Sequence, residues 1–164
     1  MKKLTAMLSV AVALALTAAP AFAEDITISG SVPSNAVTTI TPAAGYDSLD
    51  LGTDQSAGVN IASVNEKCNK AAGYTVTLQT ANGTTTGVLV GAVDGDTLNY
   101  DITYGGAAVT LVAGSATVTD ASAKTGGQGV DKDLDISYNA DPVTGTFLAE
   151  DTYSDTLTLT LTAK

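Results

Sequence analysis

Residues 73–80 read Gly-Tyr-Thr-Val-Thr-Leu-Gln-Thr, and their apolar side chains fall on every second position from Tyr74 to Leu78. A period of two places alternate side chains on opposite faces of a pleated strand. The pair Asn82-Gly83 is typical of a two-residue hairpin turn. This stretch therefore predicts a half-buried strand followed by a hairpin turn, with 88–93 as the return strand or the strand after it.

Similar alternating segments occur along the rest of the chain, separated by turns rich in glycine, asparagine and proline. Threonine is abundant in these segments and suits an exposed pleated face. No segment after residue 23 shows a convincing 3.6-residue period. Many short strands at this spacing predict an all-β fold, specifically an antiparallel β-sandwich. The predicted strands include 36–41, 59–64, 97–104, 132–138 and 152–162, and 65–72 is predicted to be a charged, helix-compatible turn.

The start of the chain has the three parts of a secretory signal peptide. Two lysines near the start precede an apolar run at 4–19, and Ala-Phe-Ala at 21–23 is a typical cleavage site, so cleavage is expected between Ala23 and Glu24. A membrane anchor is the alternative, but the apolar run is short and ends in a processing site. We therefore expect export through the inner membrane into the periplasm.

Removal of residues 1–23 from the 164-residue chain leaves 141 residues, which is the size of one domain. Five lysines and 17 acidic residues then remain, a net charge of −12, and the chain contains no arginine. Such a surface repels nucleic acid and anionic membranes, so neither is expected as a partner. The acidic residues are spread along the chain, which favours a role in solubility.

The residue inventory argues against an enzyme. The chain has no histidine, so a histidine that acts as a general base near neutral pH, a Ser-His-Asp triad and a histidine-ligated zinc site are all excluded. Its single cysteine, Cys68, is either a buried inert thiol or an intermolecular disulfide partner, and the first is favoured. We expect neither catalysis nor a cofactor.

Three aspartates offer a candidate calcium site. Asp131, Asp133 and Asp135 have the spacing of oxygen ligands in a calcium loop, but the later ligand positions of an EF-hand are not filled. The alternative is that they form the solvated face of a strand whose other face is apolar. Strand alternation explains the spacing without a metal and is favoured.

The segment 24–34, directly after the cleavage site, predicts a strand without a neighbour in sequence. Ile26, Ile28, Gly30 and Val32 alternate with polar residues, and the proline that follows prevents a hairpin. A strand with an apolar face requires an edge to pair with, either in its own domain or in another molecule.

Three further features of the sequence belong together. A signal peptide leads directly into an alternating strand, Cys68-Asn69 leads into the strand at 73–78, and residues 153–161 read Tyr-Ser-Asp-Thr-Leu-Thr-Leu-Thr-Leu. These features together resemble the pilin subunits of chaperone–usher fimbriae and the related spore-coat-U-like secreted domains, whose closing strand has the pattern Tyr-x-Asp-x-apolar-x-apolar. A single cysteine departs from the disulfide pair that is common there.

The resemblance implies a signal peptide at 1–23, a donor-strand extension at 24–34 and an incomplete immunoglobulin-like sandwich at 35–164 whose last strand is missing. Ile26, Ile28, Gly30 and Val32 would be the donor residues. The acceptor groove would have Leu157, Leu159 and Leu161 on one wall, and Val37 and Ile40 on the other.

The function implied is that of a structural subunit of a surface fimbria or pilus that polymerises head-to-tail by donor-strand exchange and supports adhesion or biofilm formation. The expected partners are identical or related subunits, a periplasmic chaperone and an outer-membrane usher, and the expected location is the cell surface. The alternative is a monomeric secreted sandwich that binds carbohydrate or calcium.

Overall fold

The structure is a computed structural model that describes residues 28–140 and 147–164. The predicted signal peptide, its cleavage point between Ala23 and Glu24, and the expected donor residue Ile26 lie outside the described residues. The chain divides into two units, Met1–Val32 and Pro33–Lys164, and every described strand belongs to the second.

The described part of the chain is all β, with ten strands and no helix. The strands are β1 (Ala36–Pro42), β2 (Val59–Cys68), β3 (Tyr74–Thr80), β4 (Gly87–Gly91), β5 (Thr97–Tyr104), β6 (Ala107–Val109), β7 (Ser115–Ala121), β8 (Val130–Ser137), β9 (Tyr153–Ser154) and β10 (Leu157–Ala163). The prediction of an all-β fold is confirmed for these residues.

The strands form two sheets in which every pairing is antiparallel. The larger sheet has the order β1-β2-β8-β5-β4-β9, and β6 also pairs with β5. The smaller sheet has the order β10-β3-β7, so the strand predicted from residues 73–80 is its centre. Antiparallel pairing, which the sequence predicted, is therefore present throughout the described residues.

The two sheets share one hydrophobic core. Leu78 of the smaller sheet is fully buried and belongs to the same cluster as Val64, Leu98 and Leu134 of the larger sheet. A second, smaller cluster contains Cys68 and its neighbours from β3. Burial between two sheets gives a sandwich-like arrangement in which alternate residues of each strand face inward.

Three local predictions are wrong. The single strand predicted at 152–162 is divided into β9 of the larger sheet and β10 of the smaller sheet. The first half of the charged turn predicted at 65–72 is strand, because β2 continues to Cys68 with every second residue buried, and a turn follows only at 69–72. The pair Asn82-Gly83 does not close a hairpin, because β3 and β4 lie in different sheets. Gly83 still requires glycine, since its φ is +91° and an added Cβ would lie 2.2 Å from the carbonyl oxygen of Thr86. The chain bends at this point, but it crosses to the other sheet instead of returning beside β3.

Candidate functional site

The candidate site lies where the edges of the two sheets meet. Among the described strands, β1 pairs only with β2, and β10 pairs only with β3. Some Cα atoms of β1 and β10 approach within 8 Å, yet the two strands form no ladder. We call these two adjacent free edges the β1–β10 seam.

The turn between β2 and β3 fixes the direction of both strands. The backbone N–H of Asn69 donates to the carbonyl of Asn35 at 2.9 Å, and that of Lys164 donates to the carbonyl of Gly73 at 3.0 Å. The start of β1 and the end of β10 therefore lie at the same turn. The two strands run in opposite directions along the seam.

The inner face of β10 is apolar and only partly buried. Leu159 pairs with Leu78, and Leu161 pairs with Val76. Cross-strand partners share a face, so these leucines face the core. Their partners on β3 are fully buried, whereas Leu157, Leu159 and Leu161 all remain partly exposed. Apolar surface of the core therefore reaches the free edge of β10.

The two residues predicted on β1 lie on opposite faces. Ile40 pairs with the fully buried Val64, so it faces inward with the β10 leucines, yet 45% of its surface is exposed. Val37 pairs with Lys67 on the outer face and is 44% exposed. The structure thus brings Ile40 to the seam but places Val37 on the outside of the sheet. The two residues are three positions apart, and side chains an odd number of positions apart on a strand lie on opposite faces.

The described residues among those expected to be donors, Ile28, Gly30 and Val32, lie in the first unit and are outside any strand in this structure. Residues 28–35 form no strand. Ile28 is 92% exposed and Val32 is 85% exposed. A Cβ added at Gly30 would have no heavy atom within 4 Å. These apolar positions are therefore accessible.

The seam strands have little of the usual protection of edge strands, while the other edges have more. β9 has two residues and β6 has three. β7 carries a register shift beside Val118, and its Asp120 forms an ion pair with Lys164. β1 and β10 each have seven residues, pair without a register shift and contain no charged side chain, and the protective feature of β1 is the proline at its last position, Pro42. Long, regular, uncharged edges are those that accept another strand.

A buried carboxylate joins the two sheets behind the seam. Glu66 of β2 is fully buried. Its Oε1 accepts hydrogen bonds from the Tyr104 hydroxyl at 2.7 Å and the Thr119 hydroxyl at 2.7 Å, and its Oε2 accepts one from the Tyr74 hydroxyl at 3.0 Å. Three hydroxyl donors, two of them from the smaller sheet, thus replace the water that a carboxylate normally binds.

This cluster changes the titration of the tyrosines. Burial first, and then the hydrogen bond to Glu66 and its negative charge, raise the pKa of Tyr74 from 10.0 to about 12. Burial and the same carboxylate also raise the pKa of Tyr104. Sequence reasoning missed Glu66 because a charged residue was taken as a turn signal. Glu66 lies two residues from both Val64 and Cys68, and this spacing indicates that it shares their inward face.

The Tyr-x-Asp motif fixes the start of β10. The Tyr100 hydroxyl donates to Asp155 Oδ2 at 2.6 Å. Asp155 Oδ1 accepts from the backbone N–H groups of Asn82 at 3.0 Å and Thr156 at 2.7 Å. Burial, followed by the bond to Asp155, raises the pKa of Tyr100. The motif therefore anchors β10 to the crossover after β3 and to β5 in the other sheet.

An open cleft of about 1090 Å³ lies between the segments 46–52 and 147–155. Tyr46 is half exposed and Phe147 is 82% exposed, and both line the cleft. Leu49 and Leu148 also line it and pack against the main core. The cleft therefore combines exposed aromatic rings with apolar side chains.

The three candidate calcium ligands are spread along the outer face of β8. The Asn65 side-chain amide donates to Asp131 at 2.7 Å, and that of Asn60 donates to Asp135 at 2.9 Å. The leucine and isoleucine between and after the aspartates are buried. No group of three His, Cys, Asp or Glu residues within 28–140 and 147–164 could hold a metal ion. This placement fits the strand-face alternative.

Cys68 is a free thiol with 1% of its surface exposed, so the predicted burial is confirmed. No helix in the described part of the chain is long and apolar enough to cross a membrane.

No protein-family model matches the chain, and comparison with curated proteins gives no similar sequence. The function must therefore be argued from the residues and geometry of the chain itself.

Proposed function

We propose that this chain is a structural subunit of a surface fimbria or pilus that polymerises head-to-tail by donor-strand exchange. The observation that supports the proposal is the β1–β10 seam. Two seven-residue, uncharged free edges lie side by side, and the core-facing leucines of β10 remain partly exposed. In this interpretation the domain is an immunoglobulin-like sandwich without its last strand, and the seam is the acceptor groove.

The donor is the extension 24–34 of the next subunit. Its described apolar residues, Ile28 and Val32, are highly exposed and so available to a second molecule. Burial of each apolar side chain of the extension contributes about 1.5–3 kcal/mol, so Ile26, Ile28 and Val32 together contribute about 5–9 kcal/mol before ordering costs. Main-chain hydrogen bonds along β10 add to this.

Polymerisation follows because the donor and the acceptor are different segments of the chain, the extension 24–34 and the strands β1 and β10. A head-to-tail contact that does not close on itself generates a filament. Before assembly, a free apolar edge would aggregate, so a periplasmic chaperone that lends a strand and an outer-membrane usher are the partners that this mechanism requires. The assembled fibre at the cell surface would support adhesion or biofilm formation.

The test uses two neighbouring substitutions on opposite faces of the extension. Ile28→Asp places a charge on the apolar face and is expected to abolish filaments in electron micrographs of the purified, processed chain. Ser29→Asp adds the same charge on the polar face and serves as the control, with filaments retained. Filaments formed equally well by both variants would contradict the proposal.

A second candidate function is carbohydrate binding at the open cleft. The observation that favours it is the exposure of the Tyr46 and Phe147 rings beside apolar side chains, since aromatic faces pack on the apolar faces of sugars. Phe147→Ala should then remove binding in a glycan screen, while Ile28→Asp should leave it unchanged. A glycan that binds both variants equally would refute this use of the cleft.

A further inference from the structure

The open cleft carries negative charge beside its aromatic rings. Every charged side chain among its described lining residues is a carboxylate, from Asp47, Glu150, Asp151 and Asp155. Tyr153 also lines the cleft and reports on this charge. Loss of hydration first, and then the negative charges of Asp96, Asp151 and Asp94, raise the pKa of Tyr153 above its usual value of 10.0. Tyr153 therefore lies in a negative potential, which attracts cations.

Two of the lining carboxylates are used by the fold, and two are free. Asp151 accepts hydrogen bonds from three backbone N–H groups. Asp155 is held at the start of β10 by the Tyr100 hydroxyl and two backbone N–H groups. Among the contacts of the described residues, the exposed carboxylates of Asp47 and Glu150 accept no hydrogen bond and form no ion pair. These two are therefore available to a ligand.

Hydrogen bonds fix both walls of the cleft. In one wall, the backbone N–H of Ala149 donates to Asp96 at 3.2 Å, and the Tyr153 hydroxyl donates to the carbonyl of Ala149 at 2.9 Å. In the other wall, the Tyr138 hydroxyl donates to the carbonyl of Asp50 at 3.2 Å. The lining residues are thus held in place before a ligand arrives, which lowers the ordering cost of binding.

A sugar that carries an amino group matches both the rings and the charge. One face of a sugar ring is apolar and packs on an exposed aromatic ring such as Tyr46 or Phe147. A protonated amino group donates charge-assisted hydrogen bonds to a carboxylate and is also attracted by an aromatic face. A neutral sugar lacks the charge that Asp47 and Glu150 attract. The cleft, at about 1090 Å³, is large enough for more than one sugar ring.

We propose that the cleft binds an oligosaccharide with free, protonated amino groups, such as linked glucosamine residues. The sugar rings pack on Tyr46 and Phe147, and the ammonium groups lie beside Asp47 and Glu150. This binding rests on the second candidate function, carbohydrate binding at the cleft, and names its class of sugar. A basic peptide offers the same charge, but its flexible side chains lose more conformational freedom than a rigid ring when they cover the aromatic faces.

The test compares two trisaccharides that differ only in their N-acetyl groups, the glucosamine trimer and the N-acetylglucosamine trimer. A peptide of three lysines carries a similar charge without sugar rings. Calorimetry measures the binding of each to the full processed chain in a mildly acidic buffer, which protonates the amino groups of the sugar. The cleft variants are Asp47→Asn, Glu150→Gln and Phe147→Ala. Asp133→Asn, on the outer face of β8, removes the same charge away from the cleft, and circular dichroism verifies that each chain is folded.

The glucosamine trimer is expected to bind the parent chain about tenfold more tightly than the acetylated trimer or the lysine peptide. Asp47→Asn and Glu150→Gln should each weaken its binding by about threefold, since each pair is exposed to solvent. Phe147→Ala should weaken it by about tenfold, because the ring face is lost. Asp133→Asn should leave the affinity unchanged.

Other outcomes overturn the proposal in distinguishable ways. Equal binding of the two trimers, lost in Phe147→Ala, would refute the preference for amino groups and leave carbohydrate binding at the cleft standing. Equally tight binding of the lysine peptide, or equal losses in Asp133→Asn and Glu150→Gln, would show attraction by charge alone. If neither trimer binds at millimolar concentration, amino sugar binding fails, and the glycan screen decides separately whether the cleft binds another carbohydrate.

Discussion

At the scale of single residues, Glu66 shows how a charged side chain is accommodated in this core. Its carboxylate is held by hydroxyls from both sheets and has no cation beside it in the described contacts. Such a cluster stabilises the fold only while all of its members remain paired. Removal of the acceptor leaves the hydroxyls of Tyr74, Tyr104 and Thr119 buried without a partner.

We therefore expect Glu66→Leu to lower the free energy of unfolding by about 3 kcal/mol or more, since each unpaired buried hydroxyl costs about 1–3 kcal/mol. Glu66→Gln, which keeps one acceptor oxygen, should cost about 1–2 kcal/mol. The control is Lys67→Gln on the outer face, with a change within about 0.5 kcal/mol. Urea denaturation measures all three, and an unchanged stability in Glu66→Leu would refute the role of the cluster.

The buried tyrosines predict a loss of stability at alkaline pH. The folded pKa of Tyr74 is raised to about 12, so between pH 10 and 12 the unfolded chain releases a proton that the folded chain retains. The unfolded state then binds fewer protons, and stability falls as the pH rises through this window. Tyr100 and Tyr104, whose pKa values are also raised, act in the same direction.

Ultraviolet titration of the folded protein, together with thermal melts across this pH range, tests the expectation. Tyr74, Tyr100 and Tyr104 should ionise only at higher pH than free tyrosine or as the protein unfolds. Ionisation of every tyrosine near pH 10 with no change in melting temperature would be inconsistent with the buried hydroxyl bonds.

Some residues were assigned correctly to a strand and a face from the sequence, and others were not. The alternation of residues 73–80 identified β3 correctly, and Leu157, Leu159 and Leu161 were correctly assigned to one face. Val37 was grouped with Ile40, although three positions along a strand place two residues on opposite faces. Glu66 was missed as an interior position because its charge was taken as a turn signal, although its even spacing with Val64 and Cys68 places it on their face of the strand.

At the scale of elements, the edge strands differ in their protection, and this difference is open to a direct test. Ile40 and Val37 are almost equally exposed, but only Ile40 faces the seam. A lysine that points inward on an edge strand is a natural device that blocks strand addition. The two positions therefore form a matched pair.

Ile40→Lys is expected to weaken capture of a 24–34 peptide by at least about tenfold, because insertion would bury an ammonium group in the seam. Val37→Lys places the same charge on the outer face and should leave capture unchanged. Fluorescence anisotropy of a labelled peptide measures both. Equal capture by the two variants would show that the peptide does not enter the β1–β10 seam.

The hairpin predicted at Asn82-Gly83 fails for a reason that lies at the scale of elements. The positive φ of Gly83 fits the bend that the chain makes here. Whether the following strand returns beside β3 or crosses to the other sheet depends on distant partners. Here β10 already pairs with β3, and Asp155 holds the backbone N–H of Asn82.

At the scale of the whole molecule, sequence patterns predicted an all-β antiparallel protein but not how its strands divide between two sheets. Every strand of the smaller sheet comes from a different part of the chain, and residues 74–80 pair with 157–163. Such long-range pairing leaves no local signature. The free edges of β1 and β10, on which the proposed function depends, became visible only with this division.

The net charge of the processed chain predicts how salt affects assembly. With the predicted removal of residues 1–23, each chain would carry a net charge of −12, and the extension proposed as donor would begin with two acidic residues. Like-charged subunits repel, and salt screens that repulsion with a Debye length of about 10 Å at 0.1 M. The assembly rate, followed by light scattering, should therefore rise a few-fold from about 0.01 to 0.15 M salt, whereas a fall would indicate attractive steering between subunits.

The most direct test of strand exchange is amide hydrogen exchange along β10, compared between the monomer and the filament. In an antiparallel edge strand, alternate amides point to the pairing partner and to the free edge. We predict that the free-edge amides of residues 157–163 exchange rapidly in the monomer and become protected in the filament, while the amides paired with β3 are protected in both. Filaments in which the free-edge amides still exchange rapidly would contradict donor-strand exchange at this seam.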